Sequence, residues 1–78
     1  MKIPKGVTAR EFIQALEADG FTNTRTHVSH RFYQHPDGRA TTVSYHKRSD
    51  TFPIGTLKGM ISDVLWTEND LRRLNLIK

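Results

Sequence analysis

Apolar residues recur every third or fourth position near both ends of this chain, and every second position between His30 and Tyr45. That change of period restricts the fold more than any other feature, because a 3.6-residue repeat and a two-residue repeat cannot share one element. At the first end, Thr8-Ala9-Arg10-Glu11 has the S/T-x-x-E form of a capping box, in which hydroxyl and carboxylate each satisfy a free helix N–H. Ala9, Phe12, Ile13 and Leu16 follow at i, i+3, i+4 and i+7, one apolar stripe. Gly20 suits the left-handed position that ends a helix, so the spacing predicts a helix from about Thr8 to Asp19.

The middle of the chain predicts three strands. Phe21 to Thr26 is threonine-rich and thin in apolar residues. His30 to His35 alternates, with Arg31, Tyr33 and His35 on one side and His30, Phe32 and Gln34 on the other. Pro36-Asp37-Gly38 is a turn, since proline presets φ and glycine tolerates positive φ. Arg39 to Tyr45 returns, placing Thr41, Val43 and Tyr45 on one face. After the polar connection His46 to Pro53, the 3.6 period resumes. Leu57, Met60, Ile61, Val64 and Leu65 stripe a helix over about Gly55 to Leu65. Thr67, with Asp70 at N3, caps a short third helix whose Leu71 and Leu74 face one side, and Trp66 marks the corner before it.

The expected fold is therefore α+β, in the order α-β-β-β-α with a short C-terminal helix. Two amphipathic helices flanking an antiparallel meander bury both stripes by packing on one sheet face, leaving the other exposed. That is a double-stranded-RNA-binding-domain-like arrangement. Seventy-eight residues predict one domain, residues 1–78, with little interior for a deep cavity. Function is then expected on an exposed face or against a partner. With no cysteine, no leader-like apolar run in MKIPKGVTAREF and no stretch of membrane-spanning length, the expectation is a cytoplasmic protein away from membranes.

Charge is concentrated. Between Arg25 and Arg48 lie five cations and one acid, which accounts for the chain's formal +4, and all four histidines fall in the same stretch. A local basic field favours polyanions, RNA or DNA first, although a solvated basic face has the same composition. The histidine spacing, His27-x-x-His30 followed by His35 and His46, fits no zinc motif and has no cysteine or nearby glutamate to complete it. The expectation is no metal and no cofactor.

Several pieces then line up in order: Gly20-Phe21, Ser29-His30, an aromatic at Tyr33, His35-Pro36-Asp37-Gly38-Arg39, a histidine after the third strand at His46, and Gly55-Thr56-Leu57. Together with the helices on either side, they resemble the HicA toxin family, small mRNA interferases of type II toxin–antitoxin pairs. The likeness runs to Trp66. Two positions depart from the family pattern: Val28 stands where glycine usually precedes the serine, and Ile54 where lysine usually precedes the Gly-Thr. Valine takes a glycine-type backbone conformation only at a cost, and loss of a lysine weakens contact with RNA.

The resemblance implies that His30 is catalytic, and that the protein cleaves mRNA and is held inactive by a HicB-like antitoxin. RNA supplies its own nucleophile, the 2′-hydroxyl, so cleavage needs proton transfer and charge stabilisation, roles an imidazole and nearby cations can fill. His46 is a candidate second proton donor or RNA-positioning group. Ser29, Arg31, Phe32, Lys47 and Arg48 are the expected RNA contacts, with Phe32 stacking on a base while Tyr33 fills the core. His35 is expected to support the turn, and His27 to be an ordinary surface residue. Taken without the family, His30 reads more readily as a solvent-facing histidine on a polar hairpin than as a catalytic residue. The alternative reading is a non-catalytic RNA-binding module of the same fold.

Overall fold

A computed structural model describes residues 2–77. The elements are α1 (Ala9–Ala18), β1 (Thr22–His27), β2 (His30–Gln34), β3 (Ala40–Ser44), α2 (Ile54–Asp63) and α3 (Glu68–Arg73). The strands form an antiparallel sheet in the order β1-β2-β3, so the α+β order expected from the sequence is the one observed.

Both predicted capping boxes are present. The Thr8 hydroxyl accepts from Glu11 N at 3.1 Å while the Glu11 carboxylate accepts from Thr8 N at 2.9 Å. Thr67 and Asp70 repeat the exchange at α3, at 3.3 and 2.8 Å. The three helices also end alike. Each last turn closes with paired bonds back into the helix: Phe21 N to Leu16 O and Gly20 N to Glu17 O, Trp66 N to Ile61 O and Leu65 N to Ser62 O, Leu76 N to Leu71 O and Asn75 N to Arg72 O. This closure needs a left-handed residue, supplied by Gly20, Leu65 and Asn75 at φ 98°, 58° and 63°. Leu65 thus departs from expectation. It leaves the apolar stripe of α2, which stops at Asp63, and turns out to solvent at 71% exposure, because the reversal that swings Trp66 inward points its predecessor outward.

One core lies on one side of the sheet. Phe12 and Leu16 of α1, Phe21, Tyr33 and Val43 of the sheet, Leu57 and Ile61 of α2, then Trp66 and Leu71 are all buried in it. Phe12 meets Phe52 and Trp66 at ring-centroid distances of 5.9 and 5.4 Å. Thr41, the one buried polar residue among those described, donates to the Asp63 carboxylate at 3.0 Å.

The β1 strand contributes no side chain to that core and is exposed along its whole length. It carries a bulge between Asn23 and Arg25, where Thr24 is extra, its hydroxyl bonding Phe32 O at 3.3 Å. Pairing is Asn23 with Tyr33 before the bulge and Arg25 with Phe32 after it. One added residue inverts which face every later side chain of the strand occupies. The strand also runs to His27 rather than ending at Thr26, since only Val28 and Ser29 turn the corner.

The connection after β3 is anchored rather than loose. Asp50 accepts from Lys47 N at 3.0 Å, and the main chain reaches α1 through Ala9 N to Asp50 O and Arg10 N to Arg48 O at 2.8 and 3.0 Å. Helix N-terminal N–H groups without intrahelical partners are satisfied by this loop.

Candidate nucleic-acid interface

The uncovered sheet face is organised in rows set by strand register. His27, His30 and Ser44 form one row across β1, β2 and β3, and Arg25, Phe32 and Thr42 form the next. Directly opposed residues of an antiparallel pair share a face with Cβ atoms about 5 Å apart. His27, His30, Arg25, Thr42 and Ser44 are exposed, and Phe32 is half-buried. The Arg25 guanidinium lies over the Phe32 ring, 4.6 Å from its centroid. Arg25, Thr26, His27 and Phe32 line a cleft of roughly 390 Å³. A cation held against an aromatic ring, beside two imidazoles, is a surface suited to phosphate on one side and an unstacked base on the other.

Arg31 is not part of it. The alternation puts Arg31 on the core side with Tyr45, where its guanidinium stacks 3.8 Å from the Tyr45 ring centroid. It donates to Ser29 O and Tyr45 O, both at 3.1 Å. Tyr45 N in turn donates to Ser29 O at 3.2 Å, so Arg31 and Tyr45 clamp the hairpin end that carries Ser29 and His30. The structure does not bring Arg31 together with His30. Arg39 is also committed: it pairs with Asp37 at 2.7 Å and Asp19 at 3.2 Å, and donates to Val64 O at 2.7 Å. Of the five clustered cations, Arg25, Lys47 and Arg48 remain exposed and make no ion pair among the described residues.

His46 lies two residues past the end of β3, its backbone N bonded to the Asp50 carboxylate at 3.3 Å. It lines a different cleft, with Asp50, Phe52 and Thr56. His35 supports the turn, as its position suggests. Its Nδ1 accepts from Asp37 N at 3.1 Å, which leaves Nε2 as the donor to Asp19 O at 2.9 Å. Its ring stands so close to the end of α1 that a Cβ on Gly20 would lie 2.9 Å from Nε2, so this glycine answers both a positive φ and a steric limit. Val28 occupies the left-handed region at φ 59° and is 83% exposed, while Ile54 opens α2 at the surface. Among the described residues no group of three or more His, Cys, Asp or Glu is placed to hold a metal ion.

Arg25 and His27 are the residues that sequence reasoning passed over. Period-two counting along Phe21 to Thr26 gives no hint of the bulge. The signal was the turn itself: two residues between His27 and His30 leave only those two to pair.

These features define a class: a small α-β-β-β-α domain whose uncovered sheet face bears His27, His30 and the unpaired Arg25, with Lys47 and Arg48 exposed on the loop after β3. Residues 9–65 match the family described as the HicA toxin of bacterial toxin–antitoxin, and the chain belongs to that family. Membership carries a toxin role and an antitoxin partner. No curated protein matches the chain. No helix among the described residues is long and apolar enough to cross a membrane.

Proposed function

We propose that this toxin is a metal-independent mRNA endoribonuclease of the cytoplasm, with His30 at the reacting phosphate and a HicB-like antitoxin as its inhibitor. The observation that carries the reading is the place of His30, exposed at the hairpin end of the uncovered sheet face, one row from Arg25 and Phe32. The 2′-hydroxyl of the substrate attacks the adjacent phosphorus, the bond to the 5′-oxygen breaks, and the strand ends as a 2′,3′-cyclic phosphate and a 5′-hydroxyl. An imidazole that exchanges protons near neutral pH serves this reaction. Phe32 stacks on a base, Lys47 and Arg48 grip phosphates, and Ser29 and His46 position the strand. Arg31 acts at one remove, by holding the Ser29–His30 corner.

Purified protein and the His30→Ala variant, each with labelled RNA and EDTA present, test this. The wild type is expected to give cyclic-phosphate ends and the variant none. Activity lost in EDTA and restored by magnesium or zinc would contradict the metal-free chemistry. A second reading, RNA binding without cleavage, is favoured by the Arg25–Phe32 stack, which grips RNA without calling on His30. It predicts equal RNA affinity in both proteins and intact RNA in both.

A further inference from the structure

The register of the first hairpin sets a second imidazole beside the first. His27 is paired with His30 across a two-residue turn, and the bulge at Thr24 is what turns His27 and Arg25 onto the uncovered face. We infer that His27 is a second catalytic residue, exchanging protons with RNA in partnership with His30, an inference that rests on the ribonuclease reading above.

Cleavage by the 2′-hydroxyl requires two proton movements on opposite sides of phosphorus, because the attacking and departing oxygens lie roughly in line. One neutral imidazole takes the proton from the 2′-hydroxyl as its oxygen bonds to phosphorus. The other, protonated, gives its proton to the 5′-oxygen as that bond breaks, and the pair ends with its proton exchanged. Two rings on opposed strand positions, on one face and both open to solvent, suit this division of work. Arg25 stands in the adjacent row, where its charge offsets the charge gathering on the phosphate oxygens.

The other two histidines are placed less well. Both nitrogens of His35 are engaged within the fold, at 2.9 and 3.1 Å. His46 lies beyond the paired strands, in the cleft with Asp50. Neither His27 nor His30 makes a side-chain hydrogen bond with another described residue, so both rings are free to meet a substrate. The titratable or charged neighbours of His27 on this face are His30 on β2 and Arg25 on its own strand, while β3 offers only Ser44 and Thr42 in the two rows.

The test compares wild type, His27→Ala, His27→Gln, His27→Lys and His30→Ala on one labelled RNA, measuring kcat, KM and the rate from pH 5 to 9, with a thermal melt of each. Lysine keeps a positive charge but exchanges protons poorly near neutral pH. All three His27 variants are expected to lose about 100-fold or more in kcat with KM nearly unchanged, since a proton-transfer group is worth roughly that much. The variants should also lose one limb of the pH–rate curve. If His27→Lys keeps the wild-type kcat, or if the losses fall on KM alone, His27 only grips phosphate and the inference is overturned while the ribonuclease reading stands. The same holds if His27→Gln, folded as stably as wild type, is fully active. If wild-type protein leaves RNA intact, both readings fall.

Discussion

Val28 carries a conflict between a side chain and a backbone angle. The turn between His27 and His30 requires φ of 59° there, and valine's branched Cβ is poorly suited to that region. A left-handed L-residue costs about 1–2 kcal/mol, and glycine avoids the clash at the expense of a more flexible unfolded chain. Glycine is the residue such a turn calls for. Val28 is also exposed, so no packing offsets the strain. Val28→Gly is therefore expected to raise stability by about 0.5–1 kcal/mol, a rise of roughly 3–6 °C in Tm for a domain of this size. A melting curve checks it, and an unchanged or lower Tm would mean that the turn is not strained.

At the scale of elements, Asp19 ties three of them together. It sits at the C-terminal cap of α1, accepts from Trp66 Nε1 at 2.8 Å, and pairs with Arg73, the last residue of α3, and with Arg39 beside the β2–β3 turn, at 2.6 and 3.2 Å. Burial works against its charge, but hydrogen bonds from Arg73 and Trp66, with the charges of Arg73 and Arg39, outweigh it and hold the carboxyl below its ordinary 3.8. Asp37, bonded first by the Arg39 N–H, and Asp70, bonded first by the Thr67 N–H, are lowered too. A carboxyl depressed in the folded state contributes stability above its unfolded pKa and loses it as pH falls through the folded value. Stability is thus expected to hold from neutrality to about pH 5 and to fall below pH 4. Asp19→Asn should be weaker at pH 7 by about 1–3 kcal/mol and lose less on acidification. Urea midpoints of both proteins from pH 3 to 7 measure this, and parallel curves would remove Asp19 from the account.

At the scale of the molecule, one sheet face is buried under the core and the other carries no further layer among the described residues. A chain of 78 residues has little interior in which to hide reactive groups, so an antitoxin is expected to act by covering that open face. An inhibitor that covers Arg25 on that face and extends to Lys47 and Arg48 on the loop after β3 would take the cations that RNA phosphates need, and the two binding events would compete. Replacing Lys47 and Arg48 together by alanine is expected to weaken RNA binding and antitoxin binding in parallel, and to flatten the salt dependence of the first by about two counterions. His30→Ala should leave antitoxin affinity largely intact. Titrating preformed toxin–antitoxin complex with labelled RNA decides the matter, because RNA bound as tightly as by free toxin would rule out a shared face.

Local chemistry wrote much of this fold legibly. Thr8 with Glu11 and Thr67 with Asp70 state their caps in the sequence, the Leu57–Met60–Ile61 spacing states its helix, and the alternation of the strands states which residues share a face, though it took the family likeness to turn Tyr33 rather than Phe32 inward. Each depends on residues within one element, where a fixed period ties position to face. Leu65 and Arg31 were less legible, since their surroundings come from residues far along the chain: Trp66 turning into the core, and Tyr45 closing over the guanidinium. His27 was hidden for a third reason. Its face depends on a single extra residue at Thr24, and a two-residue period carries no memory of such an insertion. The sequence by itself determined the order of elements and set His30 on the side of its strand opposite Tyr33. Only the pairing of β1 with β2 decided that His27 and Arg25 would stand beside it, because cross-strand register is a property of two segments and of the turn between them.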